Sequence, residues 1–261
     1  MNYLELMNEI YTNGKKLNVR GNRTKELIDC TLEINNINLI CHTLFRDSYR
    51  VKRYLMGELA WYLSGNLKSA FIEKYSSFWK SLINDDKTLN SNYGHHVFYK
   101  QINKKHNTPF TWCIKQLTKD AFSRQAVVLY NENKYFTDDN KDFICTQLQH
   151  FLIRDDKLIS LVYVRSSDLI LGLTYDIPWW SLVQQQLWLT LKLNYPKLKL
   201  GSLIVHGGSF HLYENKFEMV KNMLKYPSHF CQYTLTLKKI IPLYHRADWY
   251  QNNLERFIEI I

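Results

Sequence analysis

Residues 157–193 read KLISLVYVRSSDLILGLTYDIPWWSLVQQQLWLTLKL, and the two ends of this stretch carry different periodicities. Residues 157–165 form a β-branched and aromatic run that predicts a strand. Residues 181–193 place apolar side chains at helical spacing. Outward from this stretch, 126–130 (AVVLY), 202–206 (SLIVH) and the alternating 232–241 (QYTLTLKKII) read as further strands. Residues 2–13 (NYLELMNEIYTN) and 51–64 (VKRYLMGELAWYLS) read as helices, the second stopping at Gly65 as helices commonly do. The elements are interspersed without the regular alternation of a doubly wound sheet. The expectation is therefore an α+β fold, one large sheet covered by helices on one face.

A chain of 261 residues, 46% of them hydrophobic, is long enough to close one core, so one domain is expected over 1–261. No Pro/Gly/Ser-rich linker and no repeat interrupts it. No apolar run is long enough to span a bilayer and the N-terminus lacks a signal-peptide pattern, so a soluble, cytoplasmic protein without membrane contact is expected. The five cysteines (Cys30, Cys41, Cys113, Cys145, Cys231) show neither a C-x-x-C pair nor zinc-ligand spacing, so reduced thiols and no metal are expected. The formal net charge of +10 fits an anionic partner or a solvated basic surface. It suits a phosphorylated small molecule as well as a nucleic acid, and no basic block interleaved with aromatics favours the latter.

Five stretches carry chemistry-bearing residues in a fixed order: GELAWYLSGN (57–66), NSNYG (90–94), SRQ (123–125) through to Cys145, RSSDLILGLTYDIPWW (165–180) and HGGSFHLYEN (206–215). Together, over residues 15–220, they resemble the thymidylate synthase superfamily. FICTQLQHFLIRDDKL (143–158) and GSLIVHGGSFHLYENKF (201–217) bring the resemblance closest to its phage branch, the deoxycytidylate hydroxymethylases. The resemblance implies a large mixed sheet, a pyrimidine nucleoside monophosphate such as dCMP as substrate, and 5,10-methylenetetrahydrofolate as co-substrate. It also implies a homodimer with shared active sites.

Carbon 5 of a pyrimidine is a poor nucleophile until a thiolate adds at carbon 6, and a cysteine meets that need. Cys145 matches the family nucleophile, with Arg165 and Arg124 as the cations expected to favour its thiolate. By resemblance, Arg165 and Ser166 bind phosphate and Arg124 does so from the partner subunit. Gln125 stands where a second arginine is usual. Arg23 is the further phosphate candidate, with Arg20 a close competitor. His211 and Tyr213, two apart on a strand, share a face, and by resemblance they bind the sugar hydroxyl. Glu58, among apolar residues mid-helix, is costly to bury unless used, and it resembles the family's proton-handling glutamate. Tyr93 resembles a residue beside the nucleophile. Trp79, Asp168 and Gly172 resemble the folate side.

Asp176 stands where thymidylate synthases carry an asparagine. A carboxyl accepts from the amino group of cytosine and can share a proton with ring nitrogen 3, which activates the ring. A turn-capping role before Pro178 is the competing account of this residue. The C-terminal ADWYQNNLERFIEII reads as a helix and not as a sealing lid, and Leu82 replaces a second tryptophan. Thr146 and Val164 flank the site where synthases have His and Gln. These departures point to water as the last nucleophile and a hydroxymethyl product. Reductive methylation and a ribonucleotide substrate stay open.

Overall fold

The computed structural model describes residues 1–34, 38–42, 48–103 and 107–260. Helix α1 (Tyr3–Asn13) starts at a capping box. The Asn2 side chain accepts from the Glu5 amide at 3.0 Å and the Glu5 carboxylate from the Asn2 amide at 2.8 Å, satisfying two donors that a helix start leaves open. Strands β1 (Lys15–Val19) and β2 (Asn22–Ile34) form a hairpin turning on Arg20 and Gly21, at φ 51° and 81°. Positive φ at both positions is the pattern of a type I′ turn, whose twist matches that of its strands. There follow β3 (Asn38–His42), α2 (Ser48–Ser64), α3 (Pro109–Lys119), β4 (Val127–Leu129), β5 (Thr146–Arg154), β6 (Lys157–Val164) and the short β7 (Ser167–Asp168). The chain continues through α4 (Leu173–Leu191), β8 (Lys199–Tyr213), α5 (Phe217–Lys225), β9 (Phe230–Leu237), α6 (Ala247–Phe257) and β10 (Ile258–Ile260).

The main sheet has seven strands in the order β1-β2-β8-β6-β5-β4, with β7 beside β8. Strand β8 runs parallel to β6 and β7 and antiparallel to β2, so the sheet is mixed and the fold is α+β, as the sequence indicates. Helices α1, α3 and α4 pack on it. Strand alternation sends Leu158, Ser160, Val162 and Val164 of β6 into the core. Among the described residues, side chains on the opposite face are exposed or half-buried. A cross-strand row of Leu129, Leu148, Tyr163, His206 and Thr31 runs over it, and Ile28 stands out at 71% exposure.

A second sheet, β10-β9-β3, corrects the expectation of a single one. The run read as a strand over 232–241 lies in it as β9. The C-terminal helix stops at Phe257, and Ile258–Ile260 pairs with Leu235–Leu237. Helix α4 lies against both sheets and is buried along most of its length. Its three consecutive glutamines, about 100° apart around the helix, reach three different backbones. Gln184 donates to Leu158 O (2.9 Å) and Gly201 O (3.1 Å) of the main sheet. Gln185 donates to Leu235 O and accepts from Leu237 N, both at 2.8 Å, filling backbone positions of β9 as a neighbouring strand would. Gln186 pairs in the same way with Ile241. Replacing Gln185 by Leu keeps the volume and strands a buried amide and carbonyl. We expect a loss of about 2–4 kcal/mol in urea unfolding; a loss below about 0.5 kcal/mol would mean that water or relaxation satisfies these groups.

Candidate active site

Helix α2 presents Tyr54, Glu58 and Tyr62 at i, i+4 and i+8, hence on one face. It ends at Gly65, whose φ of +62° is the left-handed conformation of a helix stop. The NSNYG segment then folds back on the helix. Asn92 donates to Trp61 O (2.9 Å) and Asn66 O (3.0 Å), and Tyr93 stacks on Tyr62 with centroids 5.1 Å apart. Gly94 has no room for a side chain, since a Cβ there would lie 1.6 Å from Tyr62 O. The same segment holds the approach to Cys145: the Ser91 amide donates to the Asp142 carboxylate at 2.7 Å and the Asn90 side chain to Asp142 O at 3.0 Å. Arg165, at the end of β6, closes the other side, its guanidinium donating to Phe143 O (2.7 Å) and Ile144 O (3.2 Å). Three of its five N–H groups stay available to a ligand.

Cys145 thus sits half-buried between Arg165, Tyr93 and Asp176. Burial pushes its thiol up; Arg165 opposes, Asp176 and Asp142 add to the rise, and Arg20 opposes again. Desolvation outweighs the guanidiniums in the unliganded chain. Beside Arg165, the cation of the same chain that acts on the thiol is Arg20. Arg124, expected from a partner subunit, lies exposed in the loop between α3 and β4. Arg20 also acts on Tyr213. Arg23 points elsewhere, into a solvent-exposed pair with Glu214 at 3.6 Å. Arg20 lies in the hairpin turn and Arg23 on β2, so the two side chains leave the chain in different directions, and sequence alone could not rank them.

His211 and Tyr213 share a face of β8 with rings edge to face at 5.3 Å. Burial lowers the His211 imidazole, with Asp168 and Glu26 opposing, and raises the Tyr213 phenol, with Asp168 adding. Asp168 itself accepts from the amides of Ile170 (2.9 Å) and Leu171 (3.2 Å), fixing the turn that enters α4 at Gly172. Ser166 is half-buried next to Arg165. Trp79 is more enclosed than a flanking wall: it is buried, and its indole N–H donates to Tyr54 Oη at 2.9 Å.

Two carboxyls face each other across the site. Asp176 lies in the first turns of α4, two residues before Pro178, so it caps no turn. Burial and then the nearby Glu58 raise it well above the ordinary carboxylate range. Glu58 is pushed up to about 7 by burial, against hydrogen bonds from Tyr54 (2.8 Å) and Tyr62. Among the described residues no cluster of three or more His, Cys, Asp or Glu could hold a metal ion. No helix there is long and apolar enough to cross a membrane.

A half-buried thiol, two carboxyls of raised proton affinity and two exposed guanidiniums at one site make an arrangement for covalent attack on a ring that carries an anionic group. The thymidylate synthase family model matches residues 1–252. The chain belongs to the thymidylate synthase family. Deoxycytidylate 5-hydroxymethyltransferases of Enterobacteria phages T6 and T4 are each 28% identical to it over 205 residues, covering 75% of this chain and 80% of theirs. That of Enterobacteria phage T2 is 28% identical over 200 residues, 73% of this chain and 78% of its own. Membership makes the chain a one-carbon transferase, in keeping with Cys145 at the centre of the site.

Tyr54 and Tyr62 are the residues that inspection of this family's motifs passes over, although their spacing of four on either side of Glu58 was visible. The buried acid also sets a stability signature. Below pH 4.5 Glu58 is neutral folded and unfolded; between 4.5 and about 7 only the unfolded chain ionises, so stability falls as pH rises through that window. Glu58→Gln removes the titration. We expect its advantage over wild type in unfolding free energy to widen across this window, by up to about 3 kcal/mol, and then to level off. A difference independent of pH would show that Glu58 titrates as an exposed acid.

Proposed function

We propose that the chain is a folate-dependent deoxycytidylate 5-hydroxymethyltransferase, converting dCMP to 5-hydroxymethyl-dCMP. The observation that carries this is Asp176 in the first turn of α4, a carboxyl whose proton affinity burial and the nearby Glu58 raise well above the ordinary range, and which this reading sets against the base. A neutral carboxyl donates to ring nitrogen 3 of cytosine and accepts from its amino group. When the Cys145 thiolate adds at carbon 6, the displaced electrons reach nitrogen 3, and the Asp176 proton neutralises them there. This leaves an enamine whose carbon 5 is nucleophilic. Uracil nitrogen 3 already carries a hydrogen and cannot take that proton.

Arg20, Arg165 and Ser166 form the phosphate end, with Arg124 supplied by a second subunit, and His211 and Tyr213 hold the sugar. A bound phosphate dianion compensates both guanidiniums. Methylenetetrahydrofolate supplies the carbon at the formaldehyde level. The exposed Leu171 and Phe78, next in sequence to Gly172 and Trp79, give the apolar surface on which a pterin packs. Glu58, titrating near neutrality, is suited to taking the carbon-5 proton through water and to activating the water that adds to the exocyclic carbon as Cys145 departs. The exposed and half-buried face of the main sheet, with its row of Leu129, Leu148, Tyr163 and His206, supports a homodimer in which each subunit completes its partner's phosphate site.

Incubation with dCMP and methylenetetrahydrofolate should yield a product heavier by CH2O; a gain of CH2 alone would make the reaction a reductive methylation. Asp176→Asn introduces an amide that hydrogen-bonds to either base but has no acidic proton to transfer. The ratio of kcat/KM for dCMP over dUMP should fall at least roughly a hundredfold, about 2.7 kcal/mol in relative transition-state binding. An unchanged ratio would remove Asp176 from base selection. Mixing inactive Cys145→Ala and Arg124→Ala subunits should restore part of the activity through hybrid dimers. Subunits that exchange without complementing would exclude a shared site.

A further inference from the structure

Glu58 does not sit alone on its helix. One turn before it, Tyr54 donates to its Oε1 at 2.8 Å, and one turn after it, Tyr62 bonds to the same carboxyl. Tyr54 cannot choose another orientation, because the Trp79 indole N–H occupies its oxygen at 2.9 Å. Trp79 is itself wedged edge to face against Trp61 at 5.0 Å, and the Tyr54 ring packs against Tyr175 at 4.5 Å. A donor on the phenol oxygen leaves its hydrogen free to point only at Glu58, so the three groups form a directed chain from indole to phenol to carboxyl.

We propose that Tyr54, oriented by Trp79, is a positioning residue of the reaction, fixing the rotamer and the ionisation of Glu58 between two phenols of one helix. The inference rests on Glu58 as the proton-handling group of the reaction proposed above. The groups facing the carboxyl are Tyr54 and Tyr62 from α2 and Asp176 from α4. Burial raises the proton affinity of Glu58, and the phenols lower it by stabilising the charged form, while Glu58 in turn raises Asp176.

The test separates the positioning from the reaction. With glutamate labelled at the carboxyl carbon, the NMR resonance missing in Glu58→Gln identifies Glu58, and its titration is followed in wild type, Tyr54→Phe and Trp79→Phe. Losing the phenol donor should move the midpoint upward by about one pH unit. Trp79→Phe should move it in the same direction by less, and the double variant should match Tyr54→Phe alone, since the indole acts through the phenol. On turnover, kcat should fall roughly tenfold in Tyr54→Phe with the nucleotide KM within about threefold. An unshifted midpoint in a Tyr54→Phe protein that melts as a single cooperative unit overturns the proposal. If wild type fails to turn dCMP over, the proposed reaction falls while the titration still decides the role of Tyr54.

Discussion

The structure depends on a helix that sees almost no water. Helix α4 lies between the two sheets, and a purely apolar surface would let it slide or rotate between them, because hydrophobic contact has no direction. Gln184, Gln185 and Gln186 remove that freedom, each amide bound to a different stretch of backbone. Gln149 of β5 adds a fourth tie to the Trp180 carbonyl at 2.9 Å. Once the helix is fixed in rotation and height, Asp176 in its first turns and Gly172 at its start are fixed as well. The precision of the site is set by amides some two to three turns away.

Burial then does the chemistry's preparatory work. The same desolvation raises the Cys145 thiol and the Glu58 and Asp176 carboxyls, so each holds its proton more tightly than an exposed group of its type. Arg165 and Arg20 oppose that rise at Cys145, so the charge at the site is set by burial on one side and by two exposed guanidiniums on the other.

Much of this was legible in the sequence where one physical signal dominated. Helix α2 declared itself by apolar spacing and a terminal glycine, and β6 by its β-branched run. Strands β2 and β5 did not, because β2 carries charges on its open face and β5 buries Thr146 and Gln149 where a core strand usually has hydrocarbon. The second sheet was hidden because β9 owes part of its pairing to Gln185, a residue of a helix. Residue types pointed to Cys145, Glu58 and Asp176. Their protonation did not follow from type, since it comes from enclosure by elements that are distant along the chain.

Arg20 shows how function can be read against a local preference. Its position in the hairpin turn has φ 51°, a conformation that favours Asn, Asp or Gly and costs a residue with a long side chain about 1 kcal/mol. Asparagine followed by Gly21 would make a more stable hairpin. The arginine gains nothing from an ion pair of the kind that Arg23 makes with Glu214, yet its charge reaches Cys145 and Tyr213 across the sheet end. A strained backbone that carries a cation without an ion pair among the described residues is explained by the reach of that charge to the thiol. Of the +10 net charge, Arg20 and Arg165 are the cations whose field acts on Cys145, and most of the basic surface has no such target.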